Sequence, residues 1–197
     1  YEAYCKGEVP GLEPLEIQYG DFALWQRSWL QGEVLEKQLG YWKEALNGAP
    51  ESIGLATDYE RPNELSYEGG IYTREISESL LKKVKALSES EGATLFMTLL
   101  SVLNIVLYKN SGQEDMVIGS PIANRHYKEI EGLIGVFINS LALRTQINPR
   151  MSFRELLRKV KETTVGAYSH QDIPFEQLVD NVNITRKTNQ NPIFQIT

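Results

Sequence analysis

The run Ile134-Gly135-Val136-Phe137-Ile138-Asn139-Ser140-Leu141-Ala142-Leu143-Arg144 is apolar and rich in β-branched residues. That composition predicts a strand over 136–145. Side chains alternate between the faces of a strand, so Asn139 shares a face with Phe137, Leu141 and Leu143. An amide among such neighbours needs partners, because leaving it unpaired costs about 1–3 kcal/mol. It can line a polar cavity, bind a backbone group, or act as an ordinary structural hydrogen-bonding residue. A second apolar run, Met116-Val117-Ile118-Gly119, reads as a strand covered on both faces.

Helical patterns surround these two runs. From Asp21 to Leu46 the apolar residues Phe22, Trp25, Trp29, Leu35, Leu39, Trp42 and Leu46 recur at helical spacing, with Gly32 interrupting. One kinked helix or two helices fit equally well, and Asp21 is suited to cap the first turn. Residues 49–70 follow neither period, as a functional segment, a contact with another part of the molecule or a surface connection would. Alternation predicts a strand at Ile71–Ile76. Ser77 then opens a helix with an apolar stripe of Leu80, Leu81, Val84 and Leu87, closed by Gly92. Leu95–Tyr108 is apolar nearly all round but short for a bilayer, which predicts a buried core helix. Ser152-x-x-Glu155 is a capping box before Leu156, Leu157, Val160 and Ala167. Pro174 is suited to begin a short helix carrying Phe175, Leu178 and Val179. Helices alternating with buried strands define an α/β fold, a sheet covered by helices.

Composition narrows the function. The 197 residues carry 20 Lys and Arg against 26 Asp and Glu, a net charge of −6. That balance argues against a broad face for nucleic acid or anionic lipid. The single Cys5 excludes an internal disulfide framework and fits a reducing compartment. His126 and His170 lie too far apart for a local metal motif, so no metal is expected. Phosphate-binding glycine loops, the Gly-x-Ser-x-Gly elbow and His-Glu-x-x-His are all missing from the sequence. The first residues, Tyr1-Glu2-Ala3-Tyr4, show neither the basic nor the apolar part of a secretory leader. The last, Ile193-Phe194-Gln195-Ile196-Thr197, form a β-type run whose exposed edge would invite pairing, as expected of a piece of a longer polypeptide.

Four segments concentrate polar groups or aromatics. Tyr19-Gly20-Asp21-Phe22-Ala23-Leu24-Trp25 sets three aromatics at a helix mouth, where an aromatic core with an Asp cap is the plain reading. The strand bearing Asn139 is the second. In His170-Gln171-Asp172-Ile173-Pro174-Phe175-Glu176, a His two residues from an Asp invites a triad reading. Without a nucleophile, Asp172 and Glu176 read instead as matched to the positive end of a helix, with His170 closing the one before. Arg186-Lys187-Thr188-Asn189-Gln190-Asn191-Pro192-Ile193-Phe194 is a polar turn before an apolar run.

Taken in this order, the four segments resemble the condensation domain of nonribosomal peptide synthetases. That family shows Tyr-x-Asp-Phe-Ala-Val-Trp, Ile-Gly-x-Phe-Val-Asn-Thr…Arg, His-Gln-Asp-Tyr-Pro-Phe-Glu and Arg-Asp-x-Ser-Arg-Asn-Pro-Leu-Phe. The first three match with conservative changes at Leu24, Ile138, Ser140 and Ile173. The fourth departs at Lys187, Asn189 and Gln190. Gly119-Ser120-Pro121-Ile122-Ala123-Asn124-Arg125 is also similar to the family, and the likeness spans essentially residues 1–197.

The resemblance implies a chloramphenicol-acetyltransferase-like lobe with a mixed β-sheet covered by helices. The family's His-His-x-x-x-Asp-Gly motif, which lies before the Tyr19–Trp25 equivalent, does not occur here. The whole chain 1–197 is therefore expected to be the C-terminal lobe of a two-lobed domain, with the active site at the lobe interface and no catalytic residue in this chain. The implied reaction is amide formation between a donor acyl thioester and an acceptor aminoacyl thioester. Both ride on 4′-phosphopantetheine arms of carrier proteins, and no cofactor is bound by the domain itself. Implied partners are the N-terminal lobe, peptidyl carrier proteins and an adjacent adenylation domain, with no nucleic acid or membrane, in the cytoplasm. Asn139 is expected to line the tunnel or fix backbone there, and Trp25 and Asp21 to shape the junction with the other lobe. Arg144, His170, Asp172, Glu176 and Arg186 are expected to be structural. A non-catalytic docking lobe, or an epimerization or heterocyclization relative, are the alternatives within the same fold.

Overall fold

The computed structural model describes residues 1–12, 14–64, 68–182 and 189–197. Arg186, with Lys187 and Thr188, lies outside the described residues. In chain order the elements are α1 (Glu2–Cys5), α2 (Tyr19–Trp29), α3 (Gly32–Ala45), α4 (Glu78–Ser90), α5 (Leu95–Ser111), β1 (Asp115–Ile122), a 3-10 turn (Lys128–Ile130), β2 (Asn139–Gln146), α6 (Phe153–Tyr168) and α7 (Phe175–Asn181). Strands β1 and β2 pair antiparallel, with Ile118 opposite Leu143 and Ile122 opposite Asn139. The C-terminal residues lie along the other edge of β1, where the Gly119 amide donates to the Ile196 carbonyl at 2.8 Å. Helices α6 and α7 pack on β2, α5 on α6, α4 on α5, and α3 on α7. The core gathers at this junction from Trp42, Met116, Leu141, Leu143, Leu156, Leu157, Val160, Leu178 and Phe194, all nearly or fully buried.

Several expected elements hold with shifted bounds. The helical region 21–46 is two helices, broken at Leu30–Gln31, with Gly32 at φ +53 starting α3. That left-handed φ is open to glycine at little cost. Asp21 is not the first cap but the third helical residue, where its carboxylate accepts from the Gln18 amide at 2.8 Å. The strand expected over 136–145 begins only at Asn139, because β1 ends opposite that residue at Ile122. Pro174 caps α7 from just outside the helix rather than beginning it.

Two expectations are corrected. Ile71–Ile76 is no strand: the segment joins no ladder among the described residues, and Ile71, Tyr72 and Ile76 are exposed. Alternation alone cannot make a strand without a neighbour to take its backbone hydrogen bonds. Helix α5 is not buried all round. Its inward stripe is Met97, Thr98, Leu100, Ser101, Asn104 and Leu107, while Phe96, Leu99, Val102 and Val106 face outward, more than a third exposed. The donors of the inward polar side chains return to the helix itself, while Asn104 Oδ1 is buried without a partner among the described residues. Thr98 Oγ1 donates to the Thr94 carbonyl, Ser101 Oγ to Met97, and Asn104 Nδ2 to Leu100.

The aperiodic segment 49–70 is tied to distant parts of the chain. The Ile53 amide donates to Gln195 Oε1 and the Gly54 amide to Gln113 Oε1. Gln113 Nε2 donates back to the Ser52 carbonyl, and Asn189 Nδ2 to that of Pro62. Side-chain amides thus staple the segment to the α5–β1 turn and to the C-terminal residues.

Candidate functional site

Two of the four polar and aromatic segments meet in a small hydrophobic cluster separate from the main core. Phe22 of α2, Ile130, Leu133 and Phe137 are buried together, with Ile17 and Tyr127 packed on them. Tyr19, at the first position of α2, stands edge-on to the Phe137 ring at 5.2 Å and donates its hydroxyl to the Val136 carbonyl at 2.9 Å. Its ring lies against Gly135, where a Cβ would fall 2.2 Å from Tyr19 Cδ2. Only glycine allows that approach.

Arg125 fastens the same segment from the other end of the loop. Its guanidinium sits 4.0 Å from the centre of the Phe137 ring and donates to the carbonyls of Ile130, Glu131 and Gly135. Sequence patterning did not single out Arg125, because a lone cation in a loop has no period to betray it. With Phe137 drawn inward, its neighbours Val136 and Ile138 turn to solvent, 77% and 70% exposed, beside Ile134 at 92%. Trp25 is partly exposed one helical turn on from Phe22, stacked on Trp29 at 5.3 Å and edge-on to Tyr127 at 5.1 Å. Asp21, Phe22, Trp25, Ile17, Tyr127, Glu129 and Ile130 line an open cavity of about 440 Å³.

Asn139 joins this region to the main core. It is buried, and its Nδ2 donates to the carbonyls of Gln171 at 2.9 Å and Ile173 at 2.8 Å. Its Oδ1 accepts the Phe175 amide at 3.0 Å. One side chain thereby fixes the path of the chain between α6 and α7. With both N–H groups and the oxygen committed to backbone, the amide holds a turn in place rather than reaching into open space.

His170 and Asp172 do not pair. The His170 ring stacks on Tyr41 at 4.1 Å, and Nδ1 meets the Gly166 carbonyl at 2.8 Å. Its backbone carbonyl accepts from Trp42 Nε1 at 2.7 Å. Asp172 turns instead to Gln38 Nε2 at 2.9 Å and to His126 Nε2 at 3.4 Å. Burial and the nearby Asp172 charge raise the pKa of the neighbouring Tyr127 phenol. Glu176 lies in the first turn of α7, where a carboxylate suits the helix dipole.

Arg144 closes the far end of β2. It grips Asp115 through the Nε–Nη2 edge of its guanidinium, at 2.9 Å from Nε and 2.6 Å from Nη2, and donates to the carbonyls of Ala45, Asn47 and Gly48. The end of α3, with its unpaired carbonyls, is thus capped by a strand residue. Burial works to raise the Asp115 pKa, but the hydrogen bonds from Arg144 and Gln146 and the Arg144 charge outweigh it, leaving the carboxyl below its usual range. Among the described residues no cluster of His, Cys, Asp and Glu could hold a metal ion, and no single helix is long and apolar enough to cross a membrane.

A sheet flanked by helices, a second aromatic cluster under α2 and a side-chain clamp at Asn139 define an α/β fold. The whole chain, residues 1–197, matches the model of the Condensation domain, and the protein belongs to that family. It is 50% identical over 196 residues to one of the linear gramicidin synthase proteins of Brevibacillus parabrevis, covering 100% of this chain and 4% of the synthase. It is 47% identical over 196 residues to malpinin synthetase of Mortierella alpina, covering 100% of this chain and 2% of that protein. In structure it is similar to the X-domain from teicoplanin biosynthesis, with a TM-score of 0.90 and 25% identity over 98% of this chain and 44% of that one. The same X-domain in complex with OxyB matches with a TM-score of 0.89 and 26% identity, over 98% and 44% of the two chains. The fold is therefore that of condensation domains, and the chain spans a small fraction of the synthetases it matches.

Proposed function

We propose that residues 1–197 form the C-terminal lobe of a condensation domain that joins two carrier-tethered thioesters through an amide bond. The observation that carries this reading is the pairing of a family match across the chain with an outward apolar face of Ile134, Val136 and Ile138, held rigidly by Tyr19 and Arg125. Such a face suits a wall of a cleft completed by a second lobe. The amine of an acceptor aminoacyl thioester attacks the donor carbonyl, the C–N bond forms, and the donor's thiol leaves. This lobe supplies position and exclusion of water. Holding two reactants in register is worth effective molarities of roughly 10⁵ M or more, and a dry passage spares the thioesters from hydrolysis. Proton handling falls to the other lobe, whose His-His-x-x-x-Asp-Gly motif this sequence lacks. Trp25 and Asp21 shape the junction, and Asn139 fixes the turn behind it. Peptidyl carrier proteins and a neighbouring adenylation domain are the partners this reading requires.

Reconstitution tests it. The chain alone, given carrier-bound donor and acceptor, should yield no dipeptide by mass spectrometry. Adding a separately produced N-terminal lobe that bears the histidine motif should restore product. Product from this chain unaided would overturn the assignment.

The likeness to the teicoplanin X-domain, solved in complex with OxyB, favours a second reading, a docking lobe that binds another protein without joining amino acids. Failure of the reconstituted pair to condense, with intact lobe–lobe association, would favour it.

A further inference from the structure

The cavity beside α2 has a composition that the proposed reaction does not use. Its apolar body is Ile17 and Ile130, three aromatic rings contribute to it (Phe22, Trp25 and Tyr127), and two carboxylates, Asp21 and Glu129, complete the lining. Trp25 lies 5.8 Å from Phe22 and 5.1 Å from Tyr127, ring centre to ring centre, so the three surround one space. At about 440 Å³ the space is of the size that small-molecule sites occupy. Among the described residues the Glu129 carboxylate has no hydrogen-bond or ion-pair partner. Among the described residues no cationic side chain lines the cavity to neutralise the two acids. Aromatic faces attract cations through their quadrupole, and adjacent carboxylates add charge attraction. Asp21 accepts the Gln18 amide but keeps its charge, so an apolar neutral group would fill the same space and leave the Glu129 carboxylate unanswered, and an anion would be repelled.

From this lining we infer that the cavity binds an ammonium group carried on an apolar body, such as an arylalkyl amine or a lysine beside a large apolar residue of a polypeptide. The site goes beyond the proposed condensation role; Trp25 and Asp21 also border the proposed lobe junction, but binding is read on this chain alone, so its failure leaves that role untouched.

The test uses the 197-residue chain at low ionic strength, titrated with phenethylammonium, 2-phenylethanol and 3-phenylpropionate. Backbone amide shifts and tryptophan emission report binding. The cation should give saturable shifts centred on Phe22, Trp25 and Tyr127, and should bind roughly fivefold tighter than the alcohol, with the carboxylate weakest. Glu129→Gln, at an exposed position, should keep the fold and cut the preference to about twofold or less. Equal binding of alcohol and cation, a preference untouched by Glu129→Gln, or shifts elsewhere would each overturn the inference. Acetyl-Phe-Lys-amide against acetyl-Phe-Gln-amide separates the sources. A lysine peptide that binds tighter than phenethylammonium assigns the site to a polypeptide cation, and a weaker one to a free amine. No saturable binding by either cation refutes the site.

Discussion

Asn139 and Arg144 sit five residues apart on β2 and do opposite jobs with polar side chains. Asn139 satisfies two carbonyls and one amide of the turn between α6 and α7 from a buried position. Asn139→Ala leaves those groups without partners at about 1–3 kcal/mol for the best buried of them. The expected loss is roughly 3 kcal/mol in urea unfolding, with Asn139→Asp no better, because a carboxylate would face two carbonyl oxygens. Arg144 joins the partly buried Asp115 to the end of α3. Arg144→Lys should recover little of what Arg144→Ala loses, since one ammonium cannot replace a planar fork. The pair also sets an acid limit. The Asp115 carboxyl is held below its ordinary value, so its stabilisation is complete above the unfolded-state pKa near 4 and fades as pH falls through the lower folded value. Thermal melts from pH 6 down to pH 2 should therefore decline more steeply in the natural chain than in Asp115→Asn.

At the scale of elements, short-range chemistry explains the ends and long-range contact explains the middles. Helix α6 begins where Ser152 Oγ accepts the Glu155 amide and the Glu155 carboxylate accepts the Ser152 amide, a capping box read directly from four residues. Ser152→Ala should cost about 1 kcal/mol in the same unfolding assay. The docking of the C-terminal segment on β1 has no such local cue. A Cβ at Gly119 would fall 2.2 Å from the Phe194 ring, which is buried in the core. Gly119→Ala should displace Phe194 and cost about 1–3 kcal/mol. Hydrogen exchange should report it as lost protection at the Gly119 amide, which donates to Ile196. If that amide stays as protected as before, the segment does not depend on the ring–glycine contact.

For the molecule as a whole, surface area is the informative quantity. A compact chain of 22.4 kDa exposes about 9,400 Å², whereas this one exposes 14004 Å². Part of the excess comes from exposed residues at 1–12, 56–64 and 68–77, and part from apolar faces: the outer stripe of α5 and the Ile134–Ile138 segment. Monomeric proteins rarely leave such faces open. The chain on its own is expected to self-associate, with sedimentation showing larger species as concentration rises. A monomer at every concentration would mean that these faces tolerate water.

What the residues determined alone was local and periodic: the Ser152 capping box, the apolar stripes of α4 and α6, the two buried strand runs, and an ordered set of motifs specific enough to indicate the family. Tertiary structure decided everything that depends on a neighbour. Ile71–Ile76 carries strand alternation but has no described strand to pair with, and the expected strand over 136–145 starts late because β1 runs out at Ile122. His170 and Asp172 lie two residues apart in sequence yet diverge, while His126 reaches Asp172 across the fold. Arg125 has no periodicity around it, though it ends the family-like Gly119–Arg125 stretch, and it holds the candidate face in shape. Periodicity records which side of an element meets the core, because that is a property of the element's own geometry. Which groups meet across the core is set by packing between segments far apart in the chain, and no local spacing encodes it.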